Sequence, residues 1–171
     1  MTMPMVFASV GSMLPFDRFV RAVDDWAGAH RDVPVLIQIG DGAYEPRHAE
    51  WVRMVPHGRY MALLEGCRLF VAHCGIGSMV QALEIGKPLL MMPRVASLGE
   101  HTTEHQRHTA DRFRDTPGLT IVDEAAELHA AIDLHLSMAP ERLPRISTAA
   151  PADMTMRIAA FLHGHAPAAQ G

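Results

Sequence analysis

The run His73-Cys74-Gly75-Ile76-Gly77-Ser78 places an imidazole, two glycines and a hydroxyl where an anion could be held. It follows an apolar run over residues 69–72 and leads into a helical pattern over 78–85, with Gly86 at its end and Pro88 just beyond. Such an order reads as strand, turn, helix, strand: a short apolar run suits a strand buried on both faces, the glycines break it, and Gly86 serves as a C-cap. The first N–H groups of a helix have no partner inside it, and the helix dipole puts partial positive charge there. The entrance near Ile76 therefore suits a phosphate, with His73 and Ser78 as further donors and the glycines giving close approach. Spacing alone makes Gly75-x-Gly77 weak evidence, because a tight strand-to-helix turn asks for the same residues.

Other groups nearby invite chemical readings. Cys74 would be activated as a thiolate near a helix N-terminus, although a small turn residue is the simpler reading. Lys87 is a cation beyond the far end of the helix, where pairing with a C-terminal dipole suits it better than a phosphate does. His101-Thr102-Thr103-Glu104-His105 fits H-x-x-E-H, a zinc-peptidase pattern that needs both histidines on one helix face. With no third ligand placed by motif, no metal and no cofactor are expected.

The elements that position these residues follow from periodicity. Residues 3–10 form a strand that ends at Gly11-Ser12, and Pro15 suits the first turn of the helix after it. In that helix Phe16, Phe19, Val20, Val23, Trp26 and Ala27 share one face, with Asp17, Arg18, Arg21, Asp24 and Asp25 opposite. Strands over 34–39 and 51–55 and a short helix over 58–66 lead to the central unit, whose helix turns Met79, Val80 and Leu83 inward. Beyond it come a loop over 92–100, a helix from His101 or Thr102 to about Phe113, a strand over 119–122, and a helix over 124–136 with Leu128, Ala131, Ile132 and His135 in its stripe. Strands alternating with helices imply a parallel sheet covered on both faces, with ligands at the carboxyl ends of its strands. From Ala139 the chain turns Pro- and Ala-rich, which divides it into a domain over 1–138 and a tail over 139–171. That tail comprises a connector, a helix over about 152–163 with Met154, Ile158, Phe161 and Leu162 as its stripe, and a frayed end.

Totals narrow the function classes. A chain of 171 residues suits one domain, which at this size buries roughly 70% of its extended-chain surface without a metal or disulfide staple. Hydrophobic residues at 49% and charged residues at 20% are ordinary for a globular protein. A net charge of −4 with no clustered Lys or Arg argues against a nucleic-acid surface. Two cysteines, Cys67 and Cys74, read as reduced thiols of a cytoplasmic protein. No apolar stretch approaches the roughly 18 residues of a membrane span, and residues 1–10 lack the basic start of a signal peptide. Membrane contact is therefore expected to be peripheral or through a partner.

As an ordered set, the 73–78 run, Gly86-Lys87-Pro88 and His105-Gln106 resemble the C-terminal, nucleotide-sugar-binding half of GT-B glycosyltransferases of the family 28 type. Gly11-Ser12, Phe16-Asp17, Met92-Pro93-Arg94 and Gly99-Glu100-His101 join the match, which spans residues 6–127. Within that group the chain looks closest to short stand-alone chains of exopolysaccharide and dolichol-oligosaccharide pathways, in which the donor-binding half is a separate subunit. The resemblance implies a single Rossmann-like α/β domain with about five or six parallel strands and helices on both faces. It also implies that Gly11, Ser12, His73, Gly75, Ile76, Gly77 and Ser78 hold a donor diphosphate, that Glu104, His105 and Gln106 grip hexose hydroxyls, and that Arg94 lies near the uracil or sugar. Many relatives carry a ribose-binding glutamate where this chain has Gln81, with Glu84 one helical turn later.

The implied function is the donor-binding, catalytic subunit of a two-chain inverting glycosyltransferase. It would move a hexose or hexuronate from a UDP-sugar to a lipid-linked saccharide. No catalytic base is expected on this chain; it would come from a membrane-anchored acceptor-binding subunit, which would hold this cytoplasmic chain at the inner face of the membrane. The alternative is a non-catalytic regulatory or scaffold subunit that has lost donor binding, a reading Gln81 favours. A free-standing nucleotide-binding protein of unrelated function would have no use for Glu104 to Gln106.

Overall fold

The computed structural model describes residues 3–139 and Arg145. The helix expected over 152–163 and most of its connector lie outside the described residues. Apolar runs rich in Val, Ile, Leu and Phe become strands β1 (Val6–Ser9), β2 (Val35–Gln38), β4 (Leu69–His73) and β5 (Leu89–Met92). Shorter strands β3 (Glu50–Val52) and β6 (Leu119–Ile121) flank them. Between them lie helices α1 (Asp17–Ala29), α2 (His57–Gly66), α3 (Ile76–Ile85) and α4 (His105–Phe113), and α5 (Ala125–Ser137) follows β6. All pairs are parallel, in the order β3-β2-β1-β4-β5-β6.

Alternation along each strand sends successive side chains to opposite faces, which builds a core on each. Val6, Ala8, Ile37, Val71 and Leu90 meet Phe19, Val23 and Trp26 of α1 and Leu128 and Ile132 of α5. Phe7, Leu36, Phe70, Ala72 and Met91 meet Leu64 of α2, Met79 and Ala82 of α3 and Ala110 of α4. This is the six-stranded version of the expected α/β architecture. Chain order reverses between β1 and β4, so the turns after those two strands open side by side at one edge, the place where doubly wound sheets take ligands.

The elements fall where periodicity puts them, with physical corrections. Pro15 precedes the first turn of α1 instead of sitting in it. Asp24, expected on the solvent face, is wholly buried. Its carboxylate accepts hydrogen bonds from Tyr44 Oη at 2.7 Å and from the backbone N–H groups of Arg47, His48 and Ala49 at 2.8, 2.8 and 2.9 Å. Burial alone would raise its pKa, but these bonds outweigh it and hold the group below the usual carboxylate value. On α3, Ser78, Met79 and Ala82 face the core while Val80, expected inward, is 39% exposed: the buried stripe lies on the Ser78–Ala82 side of the helix. Gly86 is the C-cap at φ +70°. Lys87 Nζ donates to the carbonyls of Glu65 and Cys67, so it satisfies the C-terminus of α2 and not that of its own helix. Helix α4 starts at His105, which leaves His101 in the preceding loop and removes the shared face that the zinc-peptidase pattern requires.

Candidate functional site

The site grows from the ends of β1 and β4. The chain leaves β1 through Gly11, whose φ of +80° is a left-handed conformation that favours glycine. Its second requirement is space: a Cβ there would lie 2.5 Å from His73 Cε1. A Cβ on Gly75 would lie 2.3 Å from His73 Nε2. The imidazole is thus slotted between two glycine backbones, one from each turn, and any larger residue at either position would expel it. Gln38 Nε2 donates to the Gly11 carbonyl at 3.3 Å, and the Ser9 hydroxyl accepts from the Gly11 N–H at 3.1 Å.

Past His73 the backbone enters α3 with Gly75 as N-cap and no side chain capping it. Gly75 N–H returns to the His73 carbonyl at 2.7 Å, and Met79 N–H is the first to bond back into the helix, to the Gly75 carbonyl. The N–H groups of Ile76, Gly77 and Ser78 make no hydrogen bond among the described residues. Ile76 and Gly77 are exposed, and a Cβ built on Gly77 would meet nothing within 4 Å. The entrance is open, uncapped and positive in character. Ser78 contributes its amide there; the residue is 6% exposed and its hydroxyl lies towards Tyr60 in the core.

Arg94, from the segment after β5, is 2% exposed. Its guanidinium donates to the carbonyls of Val10 at 2.8 Å, Leu14, and Pro15 at 3.3 Å, and lies 5.0 Å from the Phe16 ring centroid. Its backbone N–H is accepted by Gln106 Oε1 at 3.1 Å. Gln106 and Arg94 are therefore joined to each other and to the Gly11 turn, with Arg94 acting as a staple across that turn. Glu104 is the N-cap of α4, with its Oε2 buried and unbonded and Arg107 Nε 4.0 Å away; His105 is exposed beside it. Gln81 is half-buried in the second turn of α3, and Ser12 is exposed after Gly11. None of Glu104, His105 and Gln81 bonds to the His73 turn.

Sequence reasoning missed a second staple. Arg18 grips Glu100 with bonds of 2.7 and 2.9 Å and the Pro93 carbonyl at 3.0 Å, while Glu100 Oε2 also accepts the Val95 N–H at 2.9 Å. These partners lie far apart in the chain, so no local pattern signals them. Electrostatics separates the polar groups. Burial, then the charges of Arg94 and His101, lowers the His73 pKa to about 4, so the ring is neutral near pH 7. Burial lowers Arg94 to about 10, leaving it cationic. Burial raises Cys67 to about 11 and Cys74 to about 12, so neither is a thiolate and the nucleophile reading of Cys74 has no support. Among the described residues no group of three His, Cys, Asp or Glu side chains is placed to hold a metal ion.

A doubly wound parallel sheet with an uncapped helix entrance at its switch point is the layout of a nucleotide-binding α/β domain. Residues 5–157 match the model of the glycosyltransferase family 28 C-terminal domain, and the chain belongs to that family. Its fold is shared by the glycotransferase of kitacinnamycin (TM-score 0.64, 22% identity, 95% of this chain and 43% of that one). It is shared too by CalG4, the calicheamicin glycosyltransferase (TM-score 0.66, 21% identity, 97% and 45%). The chain thus spans less than half the length of either. ALG13, by contrast, is matched over 94% of its length by 91% of this chain (TM-score 0.57, 15% identity). No curated protein sequence gives a significant match. Among the described residues no helix is long and apolar enough to cross a membrane.

Proposed function

We propose that this chain is the donor-binding subunit of a two-chain inverting glycosyltransferase, transferring a hexose or hexuronate from a UDP-sugar to a lipid-linked saccharide in glycan or exopolysaccharide synthesis. The observation that carries the reading is the open entrance of α3: unpaired amides at Ile76, Gly77 and Ser78 beside the Gly11 turn, with His73 between. In the reaction an acceptor oxygen attacks the anomeric carbon in line, the bond from that carbon to the diphosphate breaks, and the UDP leaving group gathers negative charge. Amides fixed in place before the reaction stabilise that charge without reorganisation. The N-terminal dipole of α3 adds to them.

Arg94 and Gln106 hold the Gly11 turn against this point, and Glu104, His105 and Gln106 at the start of α4 stand on the side assigned to the hexose. Gln81 takes the ribose position. The base for the acceptor hydroxyl would come from the partner. The family 28 match supports donor binding, and a separate acceptor-binding partner is part of the proposal. The partner would be membrane-anchored, placing this chain at the inner face of the membrane.

Purification of the tagged chain from its native cells with its co-purifying membrane protein, followed by a UDP-release assay with UDP-hexoses and lipid-linked acceptor, tests the reading. Turnover is expected only with both chains, and His73→Gln should abolish it. Full turnover by this chain alone would contradict the two-chain reading. Unchanged activity in His73→Gln would favour the scaffold alternative.

A further inference from the structure

We infer that Tyr60 is a positioning residue for the anion site: its hydroxyl ties the end of β1 to the first turn of α3 and so sets the spacing of the two backbones that would hold the donor diphosphate. The inference rests on the donor-binding reading and adds to it a residue outside the entrance itself. Tyr60 stands near the start of α2, its N–H returning to the Pro56 carbonyl at 2.9 Å. Its ring is edge-on to Phe7 of β1 at 5.3 Å and to Phe70 of β4 at 6.2 Å between centroids. Phe7 and Phe70 are register partners and stack on each other at 5.6 Å. The ring is therefore laid across the two strands whose turns make the site. Its hydroxyl meets the side chains of Ser9, the last residue of β1, and Ser78, in the first turn of α3.

Donor and acceptor counts give the hydroxyl a definite role. Ser9 is wholly buried, and its oxygen accepts the Gly11 N–H at 3.1 Å and Gln38 Nε2 at 3.4 Å. A hydroxyl has one proton and two lone pairs, so both lone pairs are taken and the Ser9 proton is left for the Tyr60 oxygen. Tyr60 then has its own proton to give to Ser78 Oγ. Gln38 also donates to the Gly11 carbonyl at 3.3 Å, so one chain of bonds runs from the Gly11 turn through Ser9 and Tyr60 to Ser78. At its far end α3 needs this hold, because no side chain caps the helix. Amides stabilise a developing charge only when they are fixed in place before it appears. A displacement of about 1 Å can cost about a hundredfold in rate. Tyr60→Phe keeps the ring against Phe7 and Phe70 and removes only the link, which frees the two turns to shift against each other.

Calorimetry of the full chain with UDP and with UMP tests this in the native protein, Tyr60→Phe, Ser78→Ala and the double variant. Tyr60→Phe should weaken UDP by about tenfold, the worth of one misdirected charge-assisted hydrogen bond. UMP should lose less, because the second phosphate adds contacts at the entrance. Ser78→Ala should do the same, and the double variant should be no worse than either, since both remove one link. Tyr44→Phe is the control for stability alone: it removes the hydroxyl bond to Asp24 and should lower Tm without changing the affinity for UDP. A Tyr60 with a merely structural role would behave as Tyr44 does. If Tyr60→Phe does not fold, Ser78→Ala, which leaves the aromatic contacts untouched, decides the matter. Unchanged UDP affinity in a folded variant, equal losses for UDP and UMP, or additive losses in the double variant would overturn the inference and leave donor binding standing. Absence of UDP binding by the native chain would remove both.

Discussion

Asp24 gives the sharpest test of the packing that supports the site. In Asp24→Asn the retained carbonyl oxygen can keep the His48 and Ala49 N–H groups, while the new amide nitrogen faces the Tyr44 hydroxyl and the Arg47 N–H. Tyr44 can rotate its hydroxyl to accept, but the Arg47 N–H then meets another donor. An orphaned buried N–H costs about 1–3 kcal/mol. Loss of charge assistance on the bonds that remain adds about 1 kcal/mol. Together these give a destabilisation of about 3 kcal/mol, or a Tm lower by about 10 °C for a chain of this size. Urea denaturation read by circular dichroism measures it, with the exposed neighbour Asp25→Asn as a control expected to stay within about 0.5 kcal/mol. The pH dependence has a fixed sign. The folded pKa of Asp24 lies below its ordinary 3.8, so its stabilisation is complete above that value and is lost as pH falls through the folded one. The gap between native chain and variant should therefore be constant above about pH 5 and shrink on acidification below about pH 4. A gap under 1 kcal/mol at pH 7, or one that does not shrink in acid, would refute the reasoning.

Four further outcomes follow from the same geometry. Gly77→Ala should leave the fold intact and raise stability by up to about 1 kcal/mol, since its Cβ meets nothing within 4 Å, yet weaken UDP binding by crowding the entrance, as calorimetry would show. Gly75→Ala should instead expel the His73 ring and lose both stability and binding. Arg94→Lys keeps a charge but cannot span the carbonyls of Val10, Leu14 and Pro15, so denaturation should show a loss of about 2–3 kcal/mol. Cys67 and Cys74 should resist a thiol reagent at pH 8 in the native chain and react fully in denaturant, because burial keeps both thiols protonated.

The central unit was legible because its signals are local. Apolar runs, Gly75 and Gly77 before a helical pattern, and Gly86 with Pro88 after it, state the β4-α3-β5 unit within 25 residues, and each acts on its own neighbourhood. What escaped the sequence depends on partners brought near only by the fold. Asp24 has the polar identity and helical phase of a solvated residue, and its burial is set by the backbone of residues 47–49 closing over α1. Arg94 has no partner near it in the chain, and only the sheet brings the β1 turn under its guanidinium. Lys87 follows one helix and caps another for the same reason. On α3 the buried face runs through Ser78, Met79 and Ala82, which leaves Val80 exposed where the apolar pattern had turned it inward. For the site, the Gly11 and His73 turns were placed together by the glycines, while the staples from Arg94 and Arg18 had no signature in chain order.

The most direct measurement is a titration of the nitrogen-labelled chain with UDP, followed by amide NMR. The account predicts saturable shifts that are largest at Gly11, Gly75, Ile76, Gly77 and Ser78, with smaller ones at Arg94 and Gln106. Saturable shifts centred on any other edge of the sheet, or none at millimolar UDP, would contradict it.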